Sequence, residues 1–172
     1  MRNVENYLKS FGKKVVSQAQ NTLKNSDKKV SGKLLNSIDY EVTQNNGEFS
    51  IMFKMTDYGK FVEKGVSGKE TRRYYTDYKN QKRSSPFKYT SKMPPSSAFD
   101  KWVVRRGIAP RDEKGRFMSR KSISFLIARK IYFKGIQGIS FYGKPLSRFI
   151  KDFPKQFALN FNKDFVAQFK KA

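Results

Sequence analysis

Val4, Tyr7, Leu8, Phe11, Val15, Ala19 and Leu23 recur at spacings of three and four residues. That is the period of one helix face, and it predicts an amphipathic helix over 3–24. Asn25, Ser26 and Asp27 end the pattern, and Ser31-Gly32 opens the stretch SGKLLNSI, helical at first. From Ile38 the period drops to two, with Ile38, Tyr40 and Val42 alternating with Asp39, Glu41 and Thr43. Asn45-Asn46-Gly47 supplies residues that tolerate the positive φ of a tight turn. Phe49, Ile51, Phe53 and Met55 then alternate on the way back, so 38–55 reads as a β-hairpin with one apolar face.

The hairpin runs into YGKFVEKG at 58–65. Thr56 or Asp57 can cap a short helix there, with Tyr58, Phe61 and Val62 on its apolar face and Gly65 as its stop. Residues 66–93 follow without a sustained period, carrying eight basic, two acidic and five aromatic residues. Connections of that length are usually functional or ordered by a partner. After Pro94-Pro95, Ser96 or Ser97 can cap a helix bearing Ala98, Phe99, Trp102 and Val103, stopped by Gly107. A second polar excursion spans 108–120, and a helix over 122–133 presents Ile123, Leu126, Ile127 and Ile131 before Gly135 and Gly138 break it.

The C-terminal region carries Phe149, Phe153, Phe157, Phe161, Phe165 and Phe169, one every fourth residue. Four residues advance a helix by about 400°, so each Phe is displaced roughly 40° from the last. One straight helix would swing the series through about 200°, too far for a single core. Pro154 divides the helix, with Asp152 capping the second piece. Two helices can each bury half the ladder, or the last Phe residues belong to a neighbouring subunit. The reading is a single α+β domain over 1–172: an N-terminal amphipathic helix, a hairpin-based antiparallel sheet packed by helices, and a C-terminal Phe-rich helix.

Charge changes the picture more than composition does. The 172 residues hold 37 Lys plus Arg against 14 Asp plus Glu, a formal net charge of +23, together with 16 Phe and 9 Tyr. Such a chain attracts nucleic acid, anionic surfaces or acidic proteins. Cys and His are absent, which removes disulfides, thiolates, imidazole ligands and the commonest general base. No phosphate-cradling glycine motif occurs. Asp39 and Glu41 share a strand face and could hold Mg²⁺ in a carboxylate-only nuclease, but half-exposed strands commonly show that spacing. Asp112-Glu113 reads as solvated loop charge. The expectation is no enzyme, no cofactor and no metal. No run approaches the roughly 20 apolar residues of a membrane span, and MRNVENYLKSFGKK lacks the apolar core of a signal peptide. A soluble chain made in a cytoplasm is expected, without membrane contact. Tyr74, Tyr75, Tyr78 and Tyr89 interleave with Arg72, Arg73, Lys82 and Arg83, as on surfaces that stack bases and neutralise phosphates, or as in protein interfaces.

The order SGKLLNSI, hairpin, YGKFVEKG, MPPSSAFDKWVVRRGI, FLIARKIYFKGI, ISFYGKPL resembles the tail-completion, or neck, proteins of tailed bacteriophages, also called head–tail joining proteins. The matching positions are Gly32, Leu34, Ser37 and Ile38; Tyr58, Val62, Glu63 and Gly65; Pro95, Phe99, Trp102, Gly107 and Ile108; and Ala128, Ile131, Gly135, Ile136 and Phe141. They span about 31–145. The resemblance implies a structural virion protein, assembled in the host bacterial cytoplasm. It implies a homo-oligomeric ring joining the portal-side connector to tail proteins around the genomic dsDNA. Glu63 would then be an exposed carboxylate pairing with the next subunit, the alternative being an intrachain bridge. In such an assembly Tyr58 and, from the spacing of the ladder, Phe161, Phe165 and Phe169 would lie at subunit or ring interfaces, and Trp102 would be a core or interface anchor. Arg72, Arg73, Lys82, Arg83, Arg105 and Arg106 would face DNA, without sequence preference, or acidic neighbours. The other reading is a standalone nonspecific DNA-binding protein.

Overall fold

The structure, a computed structural model, describes residues 2–26, 32–45 and 47–170. Asp27, Ser31 and Asn46, named above at the helix end and the two turns, lie outside the described residues. In chain order the elements are α1 (Arg2–Lys24), α2 (Lys33–Ser37), β1 (Asp39–Asn45), β2 (Glu48–Lys54), α3 (Gly59–Lys64), β3 (Tyr74–Thr76) and β4 (Lys82–Ser84). A 3-10 turn (Ser96–Phe99) then runs into α4 (Asp100–Arg105), followed by α5 (Arg120–Lys134), α6 (Gly143–Phe149) and α7 (Phe153–Phe169). This is an α+β fold with the expected long first helix, small antiparallel sheet and Phe-rich last helix. The chain forms two compact units, one of Met1–Gly59, Thr76–Gln81 and Ser140–Ala172, the other of Lys60–Tyr75 and Lys82–Ile139.

In the first unit, α1 buries Val4, Leu8, Phe11, Val15, Ala19 and Leu23, the stripe that the sequence period marks. Each large apolar side chain contributes roughly 1.5–3 kcal/mol on burial. That face therefore holds the helix despite Gly12, which lowers helix propensity by about 1 kcal/mol. Gly12 has a packing reason: a Cβ there would sit 2.2 Å from Cδ2 of Tyr40. The glycine lets the Tyr40 ring approach the helix backbone closely. β1 and β2 pair antiparallel with Tyr40 opposite Phe53 and Val42 opposite Ile51, the half-buried positions of the sheet. Phe53 packs edge-on to Tyr142 at 5.3 Å. Against α1 also pack α6 and α7. Ser140, held at φ 49°, accepts a 2.8 Å bond from the Thr76 amide, which ties the 76–81 stretch to this unit.

The start of α1 is capped from α7. Asp164, only 5% exposed, accepts from the Asn3 amide (3.0 Å) and Nδ2 (2.9 Å) through Oδ1, and from the Val4 amide (2.9 Å) through Oδ2. Two orphan donors of a helix N-terminus thus find a charged acceptor. Burial pushes the Asp164 carboxyl up, and the bonds from Asn3 and Val4 more than reverse this, leaving it below the ordinary aspartate range. α7 begins with Pro154 in its first turn, as the sequence indicates, but Asp152 at its N-cap makes no side-chain bond.

The second unit is organised around two glycine-flanked segments, GVSG at 65–68 and GIQG at 135–138. The Val66 amide donates to the Ile136 carbonyl at 2.9 Å and the Ile136 amide returns a bond to Val66 at 2.7 Å. A Cβ on Gly68 would meet the Phe133 carbonyl oxygen at 2.1 Å, and one on Gly135 the Val66 oxygen at 2.2 Å. The backbones are too close for any side chain at these positions. The last carbonyls of α5 are all satisfied beside this crossing. Ile131 accepts from Gly135 N, Tyr132 from Lys69 N, and Phe133 from Glu70 N. Lys134 accepts from Nε of Arg73 at 2.8 Å.

Three sequence expectations need correction here. Residues 66–93 are ordered by the chain itself. Ser67 donates to the Phe87 carbonyl and accepts from Tyr89 N, Ser85 N pairs with Arg73 O, and β3 pairs with β4. The β3–β4 turn is built by Asp77, whose Oδ1 accepts from the amides of Lys79 and Gln81, with Asn80 at φ 60°. The buried face of α5 includes Ile123, Ser124 and Ala128, while Leu126 is 48% exposed. Ser124 is accommodated by a 2.6 Å bond to Asp100. α5 also starts earlier than Ser122, capped by Ser119, whose side chain accepts from the Ser122 amide. Finally, the helix after Pro95 starts as a 3-10 turn with no serine cap bond.

Candidate functional site

Of the residues singled out for interfaces, the Phe ladder behaves as its 40° drift requires. Phe153 packs on Tyr7 at 5.6 Å and edge-on to Phe11 at 4.8 Å, at the α1 side. The rings then stack along α7, Phe153 on Phe157 at 5.8 Å, Phe157 on Phe161 and Phe161 on Phe165 at 6.4 Å each. As they stack they rotate into solvent: Phe161 is 38%, Phe165 47% and Phe169 67% exposed. Leu159 and Val166 extend the exposed apolar surface of the same helix. The arrangement that buries Asp164 against α1 turns the distal Phe residues outward.

Of the two expectations for Glu63, the exposed carboxylate is overturned. The residue lies on α3 and is 7% exposed, so its carboxylate is not a surface acceptor for a neighbouring subunit. The cause is the glycine crossing: the Ile139 amide donates to the Val62 carbonyl at 3.1 Å, laying 135–139 along the end of α3. Tyr58 precedes α3 instead of sitting on it and is 42% exposed. Trp102 on α4 is half-buried, with the Arg106 guanidinium 5.9 Å from its ring.

The cations divide into two groups. Arg73 is structural: besides bonding Lys134 O, it reaches Oε1 of Gln137 at 3.3 Å. These bonds to neutral acceptors fix its side chain along the end of α5 and use only part of its five-donor guanidinium. Arg72, Lys82, Arg83, Arg105 and Arg106 are exposed. Lys82 lies 4.8 Å from the Tyr74 ring and Lys64 5.6 Å from that of Tyr75, so tyrosines and cations do interleave. Arg72 also borders a cleft of about 490 Å³ together with Lys69 and Lys88, two residues that sequence reasoning missed.

The 108–120 excursion is a small ordered finger. Asp112 Oδ1 accepts from the amides of Lys114 and Arg116, Arg111 bridges Phe117, and Gly115 turns at φ 75°. Asp112 therefore shapes a turn, beyond the solvated charge expected of it. At the tip the Arg111 guanidinium lies 4.0 Å from the ring of Phe117, which is 65% exposed.

Asp39 and Glu41 form no metal cluster. Glu41 pairs with Lys54 across the sheet, and among the described residues no group of three His, Cys, Asp or Glu side chains is gathered. No helix among the described residues is long and apolar enough to cross a membrane. Comparisons with protein-family models, with curated proteins and with solved structures find no match to this chain.

Proposed function

We propose that this chain is a structural component of a tailed-bacteriophage virion. In this reading copies close into a ring at the neck, between the portal-side connector and the tail, with the genome passing through the lumen. The observation that carries the reading is the exposed run Phe161, Phe165 and Phe169 on α7. Contiguous exposed aromatic surface on a soluble domain marks an interaction site. In a chain of net charge +23, copies repel at long range, so an apolar contact is what brings them together. A heterologous contact whose rotation closes yields a ring. The resemblance of the motif order described above points the same way.

The exposed cations of the second unit would face DNA or acidic neighbours. They also favour the second reading, a standalone nonspecific DNA binder, which would bind duplex as a monomer or dimer with a steep salt dependence.

The test is the double substitution Phe165→Ala with Phe169→Ala. Both rings are largely solvated, so the thermal midpoint of the dilute protein is expected to stay close to that of the unsubstituted chain. Assembly with the products of neighbouring reading frames, followed as particle mass, is expected to fall by tenfold or more, the loss of at least about 1.4 kcal/mol per contact. A large drop in monomer stability with assembly intact would count against the reading.

A further inference from the structure

We infer that the cleft between the 67–72 turn and the 84–88 segment of the second unit binds the phosphodiester backbone of nucleic acid. This rests on the DNA-facing part of the proposed function and names where the contact is made.

The cleft, about 490 Å³, is lined by Lys69, Arg72 and Lys88 with the hydroxyl residues Thr71 and Ser84 between them. Its one carboxylate, Glu70, is held by Lys134 at 3.2 Å. Neither Arg72 nor Lys88 has a side-chain hydrogen bond or ion pair among the described residues. Lys69 lies 5.9 Å from the Tyr132 ring, a contact that leaves its charge uncompensated. Three cations therefore line one cleft against a single carboxylate that is already paired.

The fold forces that convergence. Ser67 and Lys88 form a parallel bridge, locked by Ser67 N to Phe87 O at 2.8 Å and Tyr89 N to Ser67 O at 2.9 Å. On the other side Lys69 N and Glu70 N are anchored to the end of α5. The backbone holds like charges together, at a cost that a bound anion relieves. The lining offers no large apolar side chain, whereas an acidic peptide would need pockets for its anchors. Cations and hydroxyls are among the groups that contact phosphate and sugar, and such contacts carry no sequence information.

The experiment measures anisotropy of a labelled mixed-sequence duplex against the full chain between about 50 and 200 mM salt. The site variant is Arg72→Gln with Lys88→Gln. The control is Lys155→Gln with Lys163→Gln, which removes the same charge from α7. The site variant is expected to reduce the slope of log K against log salt by about 1.8, roughly 0.9 for each lost phosphate contact, and the control by less than about 0.5. Equal reductions in both would overturn the cleft and leave only diffuse charge. Loss of poly-glutamate binding with duplex binding intact would overturn it in favour of an acidic protein. A wild-type chain that ignores duplex at 50 mM salt would remove both the cleft and the DNA-facing reading. Particle mass on assembly, read in parallel, is unchanged by the site variant, so a failure here is distinct from a failure of the ring.

Discussion

Gly68→Ala and Gly135→Ala are each expected to destabilise the second unit by about 3 kcal/mol or more. At Gly135 two penalties add. Its backbone sits at φ 69° and ψ −172°, a region essentially restricted to glycine, and an added Cβ would lie 2.2 Å from the Val66 carbonyl oxygen. At Gly68 the obstacle is the Phe133 carbonyl oxygen at 2.1 Å, again backbone. Neither partner can turn aside as a side-chain tip would, because both segments are tied by the reciprocal Val66–Ile136 bonds and by the α5 carbonyls. Gly115 is the comparison. It also has positive φ, 75°, but nothing lies within 4 Å of its Cβ position, so Gly115→Ala should cost only about 1–2 kcal/mol of left-handed strain. Urea unfolding of the three variants measures the difference. A Gly135→Ala cost no larger than that of Gly115→Ala would refute the close crossing.

Asp164→Ala is expected to cost about 2–3 kcal/mol near neutral pH, since it strands the buried Val4 amide and the Asn3 donors. The effect carries a pH signature. The folded Asp164 carboxyl lies below its ordinary value, so its stabilising contribution is complete above the unfolded value near pH 4 and fades as pH falls through the folded one. The stability gap between the wild type and Asp164→Ala should therefore hold steady from neutral pH to about pH 4 and narrow below it. A gap independent of pH down to the most acid conditions would mean that the carboxylate is not the cap.

Features written in local period were legible before the structure. The buried face of α1 and the inward alternation of Tyr40, Val42, Ile51 and Phe53 follow from spacings of three to four and of two. The outward swing of the Phe ladder follows from 3.6 residues per turn. Features made by pairing distant segments were not legible. Gly65 and Gly135 read as helix breakers, yet they also let two backbones meet, and that meeting buries Glu63. The charge of Arg73 is visible in sequence, whereas the Lys134 carbonyl that positions its side chain is not. Lys69 and Lys88 become neighbours only through the Ser67–Lys88 bridge. The β3–β4 hairpin did have a local signal, Asp77 and Asn80 after a Tyr-Tyr-Thr run, masked by the surrounding basic residues.

The ring itself is tested most directly by native mass measurement of the purified chain mixed with the products of its neighbouring reading frames. Closure predicts one discrete particle whose mass contains a fixed whole number of copies of this chain, lost in the Phe165→Ala, Phe169→Ala double variant. A chain that stays monomeric or dimeric in every mixture, while binding duplex DNA with a steep salt slope, would contradict it.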